Sequence, residues 1–203
     1  GLGRSTGIEI GDSSGALASP EYAESHGLEW TDGQTLTAAI GQSYSLFTPL
    51  QLANYVATLA GGGTRYNAHL LKEVRTYDSA ELVDVYDEPP AEIVDIEPEN
   101  LQAVLQGMRD LVVSGSVAYY FKDCVVDAAA KTGTAQRGEG LVNNAMFILY
   151  APYGDNPEIA IAIAVEKGGA GATLSPVARK IVDYYFTFQS SANTVENAYS
   201  LLK

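Results

Sequence analysis

Apolar residues recur at helical spacing in three parts of the chain and alternate with polar or small residues in several others. In TPLQLANYVATLAGGG (48–63), Leu52, Val56, Leu59 and Ala60 fall at i, i+4, i+7 and i+8, one stripe of a helix. Thr48 can cap this helix, Pro49 suits its first position, and Gln51 stands three residues after the cap, as a capping box requires. Gly61, Gly62 and Gly63 end it. After Pro98 a second stripe runs through Leu101, Val104, Leu105, Met108, Leu111 and Val112 and stops before Gly115. SPVARKIVDYYF (175–186) predicts a third helix, with Ser175 as cap and Ala178, Ile181, Val182 and Tyr185 on its apolar face.

Residues 70–87 alternate as the two strands of a surface hairpin that turns near Asp78 to Ala80. Three strands are expected after the second helix. One starts at Val125 and Val126 and runs into Lys131; NNAMFILYAP (143–152) and PEIAIAIAVEKGG (157–169) are the others. Ile159, Ile161, Ile163 and Val165 alternate with alanines, so both faces of that strand are apolar and it is expected at the centre of a sheet. Residues 1–30 are rich in glycine and serine and predict loop with short extended pieces. There is no internal repeat and no low-complexity segment.

Length and composition, 203 residues with 46% hydrophobic and 18% charged, suit a globular unit of one domain or slightly more. A net charge of −13 repels phosphate backbones and argues against nucleic acid or an anionic membrane surface as partner. Cys124 is the sole cysteine, so no internal disulfide can form. His26 and His69 fit no metal-ligand spacing, and no metal or other cofactor is expected. No apolar run is long enough to span a membrane, and no basic segment followed by an apolar one marks a leader. The chain opens as GLGRSTGIEIGDSSG, without an initiator methionine, as expected of a fragment or a processed protein.

The candidate chemistry lies in VVDAAAKTGTAQRGEG (125–140). Ala128, Ala129, Ala130 and Gly133 pare side chains away around one cation, Lys131, which suggests a strand edge at which something docks. A phosphate-binding loop is excluded, because Val125 and Ala130 occupy the two places where it needs glycine. Lys-Thr-Gly on a strand is instead one signature of penicillin-binding proteins and serine β-lactamases. The surrounding stretches resemble the high-molecular-weight penicillin-binding proteins, the bacterial cell-wall transpeptidases, in the family's order: AIGQSYSLFTPLQLANYVATLAGGG (39–63), GMRDLVVSGS (107–116), KTGTAQ (131–136), NAMFILYAP (144–152), EIAIAIAVE (158–166) and SPVARKIVDYY (175–185). The likeness covers roughly residues 1–186. Two residues depart from the pattern: Ser43 stands where a glycine is usual, and Met146 where an aromatic residue is common.

This resemblance implies an α+β fold of the serine β-lactamase/D,D-peptidase type, an antiparallel sheet flanked by helices, here incomplete at its N-terminal side. Residues 1–203 would be the C-terminal part of a single transpeptidase domain, with 189–203 as a tail. Lys131 would position the nucleophile and attract an anionic acyl donor; Thr132 and Thr134 would offer hydroxyls to the carboxylate of a D-Ala-D-Ala stem peptide or a β-lactam. The backbone N–H of Thr134 would form half of an oxyanion hole, and Gly133 would let substrate pair beside the strand. The family implies no cofactor, an extracytoplasmic location and a membrane-anchored parent protein. Its partners would be stem peptides, β-lactams and the missing N-terminal part of its own domain.

The family's nucleophile, the serine of Ser-x-x-Lys, and its Ser-x-Asn should both precede the stretches matched here. The chain's only Ser-x-x-Lys is SLLK (200–203) and its Ser-x-Asn is SAN (191–193), both at the extreme C-terminus. With 14 serines and 6 lysines, chance supplies on the order of 0.4 such Ser-x-x-Lys matches, and both are read as coincidental. Alone, the chain is expected to be catalytically silent. Glu166 is expected to be a solvated strand-end charge, Cys124 a small buried hydrophobe, and the 13 tyrosines packing residues. A β-lactam-hydrolysing enzyme of the same superfamily and a non-catalytic binding module remain alternatives.

Overall fold

In the computed structural model, which describes residues 1–200 and side chains as far as residue 188, the chain divides into two units, Gly1–Ile96 and Glu97–Lys203. The first unit holds the helices α1 (Pro20–Ser25), α2 (Asp32–Ala39) and α3 (Pro49–Ala60) and the short strands β1 (Thr64–Arg65), β2 (Glu73–Arg75), β3 (Leu82–Val85) and β4 (Glu92–Ile93). The second holds α4 (Pro98–Val113), α5 (Ala118–Phe121), β5 (Ala129–Ala135), β6 (Asn144–Ala151), β7 (Ile159–Val165), a 3-10 turn (Gly171–Leu174) and α6 (Ser175–Ser200). Among the described residues, no helix is long and apolar enough to cross a membrane.

The expected capping box organises the first unit. The Gln51 N–H donates to Thr48 Oγ1 at 3.1 Å, and the Thr48 N–H donates to Gln51 Oε1 at 2.9 Å. The same glutamine, fully buried, turns its Nε2 to the carbonyls of Arg4 and Ser14 at 2.7 and 2.8 Å, so one side chain ties the start of α3 to the N-terminal loop. That loop includes one short extended piece, an antiparallel bridge of Ala16 with Leu46, and is held by further local bonds: the Asp12 carboxylate accepts from the Ser5 hydroxyl and the Thr6 N–H, and the Ser5 bond chiefly holds its pKa below the usual carboxylate range. Strands β1 and β4 pair antiparallel, and β2 and β3 form the predicted hairpin, turning through Asp78, whose carboxylate accepts from Thr76 and Ala80.

Helix α1 replaces part of the loop expected over residues 1–30, and α2 follows it where no element was predicted. Ser19 caps α1 and Pro20 leads it; Thr31 caps α2. Both are too short for apolar periodicity to reveal, and α2 buries no residue. At Ser43 the backbone adopts φ +63°, a left-handed conformation that glycine takes freely and other L-residues only at a cost of about 1 kcal/mol. The departure from glycine noted at this position is therefore a strained serine, held by its hydroxyl donating to Gln34 Oε1.

In the second unit the strand order is β5-β6-β7, antiparallel throughout. Ala130, Ala145, Phe147, Leu149 and Ile161 share one face of this sheet and form the core with Val112, Val117, Phe121, Leu174, Ala178 and Val182. The Phe121 and Phe147 rings lie parallel at 6.4 Å. Burying a side chain such as Phe147 or Leu149 stabilises the fold by about 1.5–3 kcal/mol. Arg179 pins α6 to α5 and the residues after it: its Nη1 donates to the Tyr120 carbonyl at 3.0 Å and its Nη2 to the Asp123 carbonyl, while its Nε donates to Asp183 within α6 at 2.6 Å.

Three expectations are corrected here. The strand carrying Lys131 starts at Ala129, not Val125, because the Val125 N–H is taken by the Asp183 carboxylate and Asp127 O by the Tyr153 N–H, leaving no ladder there. Strand β7 lies at one side of the sheet and β6 at its centre; the second apolar face of β7, formed by its alanines, stays half-buried or exposed. Ser175 does not cap α6. The 3-10 turn runs straight into the helix, so Ser175 is already helical and its Oγ donates back to the Ala172 carbonyl at 2.8 Å.

Replacing Gln51 by alanine leaves the Thr48 N–H and the Arg4 and Ser14 carbonyls without partners. We expect a loss of about 3 kcal/mol, read from hydrogen-exchange protection of the α3 amides; protection equal to the parent chain would show that these bonds contribute nothing.

Candidate functional site

Strand β5 emerges from the core. Ala128, Ala129 and Ala130 are fully buried, so their smallness serves packing beneath the strand, and the chain meets solvent only at Lys131. From there to Ala135 one edge of β5 pairs with β6, in the register Lys131↔Ile148, Gly133↔Met146 and Thr134↔Ala145. Among the described residues no strand pairs with its other edge. Because successive side chains of a strand alternate, Lys131 and Gly133 fall on one face, with Met146 and Ile148, while Thr132 and Thr134 fall on the core face, above Phe147 and Ala145.

The residues predicted for the site are consecutive on β5, with Lys131 on one face of the strand and Thr132 and Thr134 on the other. Lys131 is exposed; its Nζ donates to the Thr132 carbonyl at 2.6 Å, and among the described residues no carboxylate pairs with it. Thr132 and Thr134 are two apart on one face of the outer strand, so their hydroxyls can act on a single anion. A β-carbon at Gly133 would lie 3.1 Å from Met146 Cβ. The methionine that departs from the family pattern thus stands directly beside the glycine and sets the shape of that face.

The start of β5 is anchored by Arg109, which sequence inspection missed. Its Nη1 donates to the Ala128 carbonyl at 2.9 Å, Nη2 pairs with the Asp127 carboxylate, and the guanidinium lies 5.5 Å from the centre of the Tyr153 ring. The signal was a lone arginine amid the apolar stripe of α4. The second missed contact is the Gly171 N–H, which donates to Thr134 Oγ1 at 3.4 Å. Its signal was the glycine-rich run after β7.

Other candidates separate from this site. Cys124 is half-buried against the core, and burial pushes its thiol pKa up. His26 stacks on Tyr22 and His69 on Tyr86, and among the described residues no group of His, Cys, Asp or Glu could hold a metal ion. SAN (191–193) lies on the helical backbone of α6, where side chains are not described, and SLLK (200–203) runs outside the described residues.

The second unit is thus an antiparallel sheet under a C-terminal helix, with Lys-Thr-Gly on its outer strand. Residues 1–183 match the family model of the penicillin binding protein transpeptidase domain, and the chain belongs to that family. It is 30% identical over 207 residues to the peptidoglycan D,D-transpeptidase MrdA of Haemophilus influenzae, covering 91% of this chain and 31% of that protein. It is 32% identical over 209 residues to penicillin-binding protein 2A of Bacillus subtilis, covering 94% and 28%. Among solved structures it resembles Pseudomonas aeruginosa PBP2 in complex with WCK 5153, with a TM-score of 0.72 at 30% identity over 87% of this chain and 39% of that one. It also resembles PBP2 of Helicobacter pylori in complex with MreC, with a TM-score of 0.73 at 26% identity over 93% and 34%. The chain spans about a third of the length of the curated relatives it matches.

A raised thiol pKa leaves little thiolate at pH 8. Alkylation of Cys124 in the folded protein is therefore expected to be about tenfold slower or more than in the unfolded chain, measured by mass spectrometry after timed iodoacetamide quench; equal rates would contradict its burial.

Proposed function

We propose that this chain is the C-terminal part of the catalytic domain of a cell-wall D,D-transpeptidase, and that it supplies the substrate strand of the active site but not the nucleophile. The observation that carries the proposal is the edge of β5, unpaired among the described residues, along which an exposed ammonium that no described carboxylate neutralises and two threonines two residues apart are placed. Such an edge can take an extended peptide as an added strand. Lys131 draws in the C-terminal carboxylate of a D-Ala-D-Ala stem peptide, Thr132 and Thr134 hold it, and the Thr134 N–H faces the oxygen of the scissile carbonyl as negative charge develops there.

The reaction proceeds in two balanced steps. A serine Oγ contributed by chain outside these 203 residues adds to the penultimate D-alanine carbonyl; an ester bond forms, the amide C–N bond breaks, and the serine proton leaves with the departing D-alanine amine. An amine of a neighbouring stem peptide then attacks the ester, forming the cross-link, and the serine recovers a proton. A β-lactam enters the same first step and stalls at the ester. The parent protein would carry a membrane anchor and work at the extracytoplasmic face.

Partly covered apolar surface supports the claim that this unit packs against more protein. On the predicted stripe of α3 only Val56 is buried, and on that of α4 only Met108 and Val112. The outward face of the sheet keeps Met146, Ile148, Ala160 and Ala162 half-buried. These residues are suited to cover by the remainder of the domain.

In the full-length protein, Lys131→Ala is expected to abolish labelling by a fluorescent penicillin with the circular dichroism spectrum unchanged, while the 203-residue chain alone takes no label. Unchanged labelling of the variant would sink the role given to Lys131, and saturable, non-covalent binding by the full-length parent would favour a binding module instead.

A further inference from the structure

The 3-10 turn Gly171–Leu174 lies against the Lys-Thr-Gly strand, and Gly171 makes the closest approach. A β-carbon on this residue would sit 2.3 Å from the Gly133 carbonyl oxygen, 2.3 Å from the Met146 carbonyl oxygen and 2.8 Å from the Gly133 nitrogen. All three are backbone atoms of one cross-strand pair, so none can swing aside as the end of a side chain could. Its φ lies outside the left-handed region, so space and not conformation demands glycine here. In the direction a β-carbon would take, an α-hydrogen points at the two carbonyl oxygens.

The second observation is the Gly171 N–H donating to Thr134 Oγ1 at 3.4 Å. A threonine hydroxyl has one proton and two lone pairs. With a backbone donor on one lone pair, the proton is kept from Gly171 and left for an acceptor elsewhere. The turn that makes this contact is itself tied down: the Lys167 N–H donates to Asn144 Oδ1 and the Gly169 N–H to the Asn143 carbonyl, both at 3.0 Å, and Thr173 Oγ1 donates to the Ala170 carbonyl at 2.7 Å. Neighbouring Gly168 is also tight, its β-carbon position 2.9 Å from Ala145 Cβ.

We propose that Gly171 is a positioning residue for acyl-donor recognition: its N–H orients the Thr134 hydroxyl so that the proton is donated to the donor's carboxylate, and its missing side chain sets the height of β5. This inference rests on the reading in which Thr134 receives that carboxylate. The role is one of preorganisation, since the hydroxyl is aimed before substrate arrives and no rotamer need be selected on binding.

The test compares acylation of the full-length protein by benzylpenicillin and by its methyl ester, which lacks the charged carboxylate. In wild type the acid reacts faster. In Thr134→Val and in Gly171→Ala the acid-to-ester rate ratio is expected to fall by about tenfold or more, the effect of losing a hydrogen bond to a charged group, with native circular dichroism in both. A lowered ratio in Thr134→Val beside a folded Gly171→Ala whose ratio is unchanged overturns the positioning role alone. An unchanged ratio in Thr134→Val overturns the carboxylate reading beneath it, as does a wild type that prefers the ester. Should Gly171→Ala fail to fold, amide exchange of Gly171 decides: it is expected to quicken in Thr134→Val and to stay slow in Thr134→Ser, and equal rates in the two overturn the inference.

Discussion

Burial of one face of the β5-β6-β7 sheet is the constraint on which the second unit depends. Ala130, Phe147, Leu149 and Ile161 press against Leu174, Ala178 and Val182, and the alanines of β5 and α6 are what let the two layers close. Because that face is committed to the core, the opposite one carries what remains: Lys131, Gly133 and Met146 toward solvent, with Ile148 and the alanines of β7 beside them. A lysine placed two residues earlier, on the same face of this strand, would fall at the buried pair Ala129↔Tyr150, where an unpaired ammonium is untenable. The cation therefore stands at the first position where β5 leaves cover.

The electrostatics follow from the same placement. The chain carries a net charge of −13, yet the described ion pairs lie elsewhere: Arg4 and Arg65 with Glu92, Arg75 with Glu73, Arg109 with Asp127, and Arg179 with Asp183. Exposed pairs such as Arg75 with Glu73 contribute little to stability. Arg109 and Arg179 act differently, because each also donates to backbone carbonyls at turns that lead into or away from the sheet. They fix the segment before β5 at both ends, and so the approach of the strand to its exposed edge.

Much of this was legible in the sequence. The stripes of α3 and α4, the Thr48 and Gln51 box and the hairpin at Asp78 each follow from local rules, and local rules sufficed because those elements satisfy their own backbone groups. The Lys-Thr-Gly strand was found by its motif, and its chain neighbours made the motif specific. What local pattern could not show was where partners come from. Val125 and Val126 have strand propensity, but a carboxylate 58 residues away, on Asp183, takes the Val125 N–H. The alternation of β7 predicted two covered faces, and the described residues cover one, since an apolar face records what a strand can pack against and not which part of the protein supplies it. Ser175 has the identity of a cap, yet the preceding 3-10 turn already occupies the place where a cap would stand.

The glycine-rich run after β7 is the sharpest case of this limit. Read locally, 168–171 is a loop, where glycine is usually explained by backbone freedom, and Gly169 with φ +80° fits that explanation. Gly171 does not: its conformation is open to any residue, and only the carbonyls of Gly133 and Met146, brought there by the sheet register, forbid a side chain. A glycine required by a distant backbone couples two segments of the chain. The residue opposite the turn is the glycine of Lys-Thr-Gly itself, so a single close approach sets both the packing of the core face and the level at which Lys131 and Thr134 are presented. Edge strands are the least constrained part of a sheet, paired on one side only. A site built on one needs support from beneath, and here a turn packed against its backbone gives it.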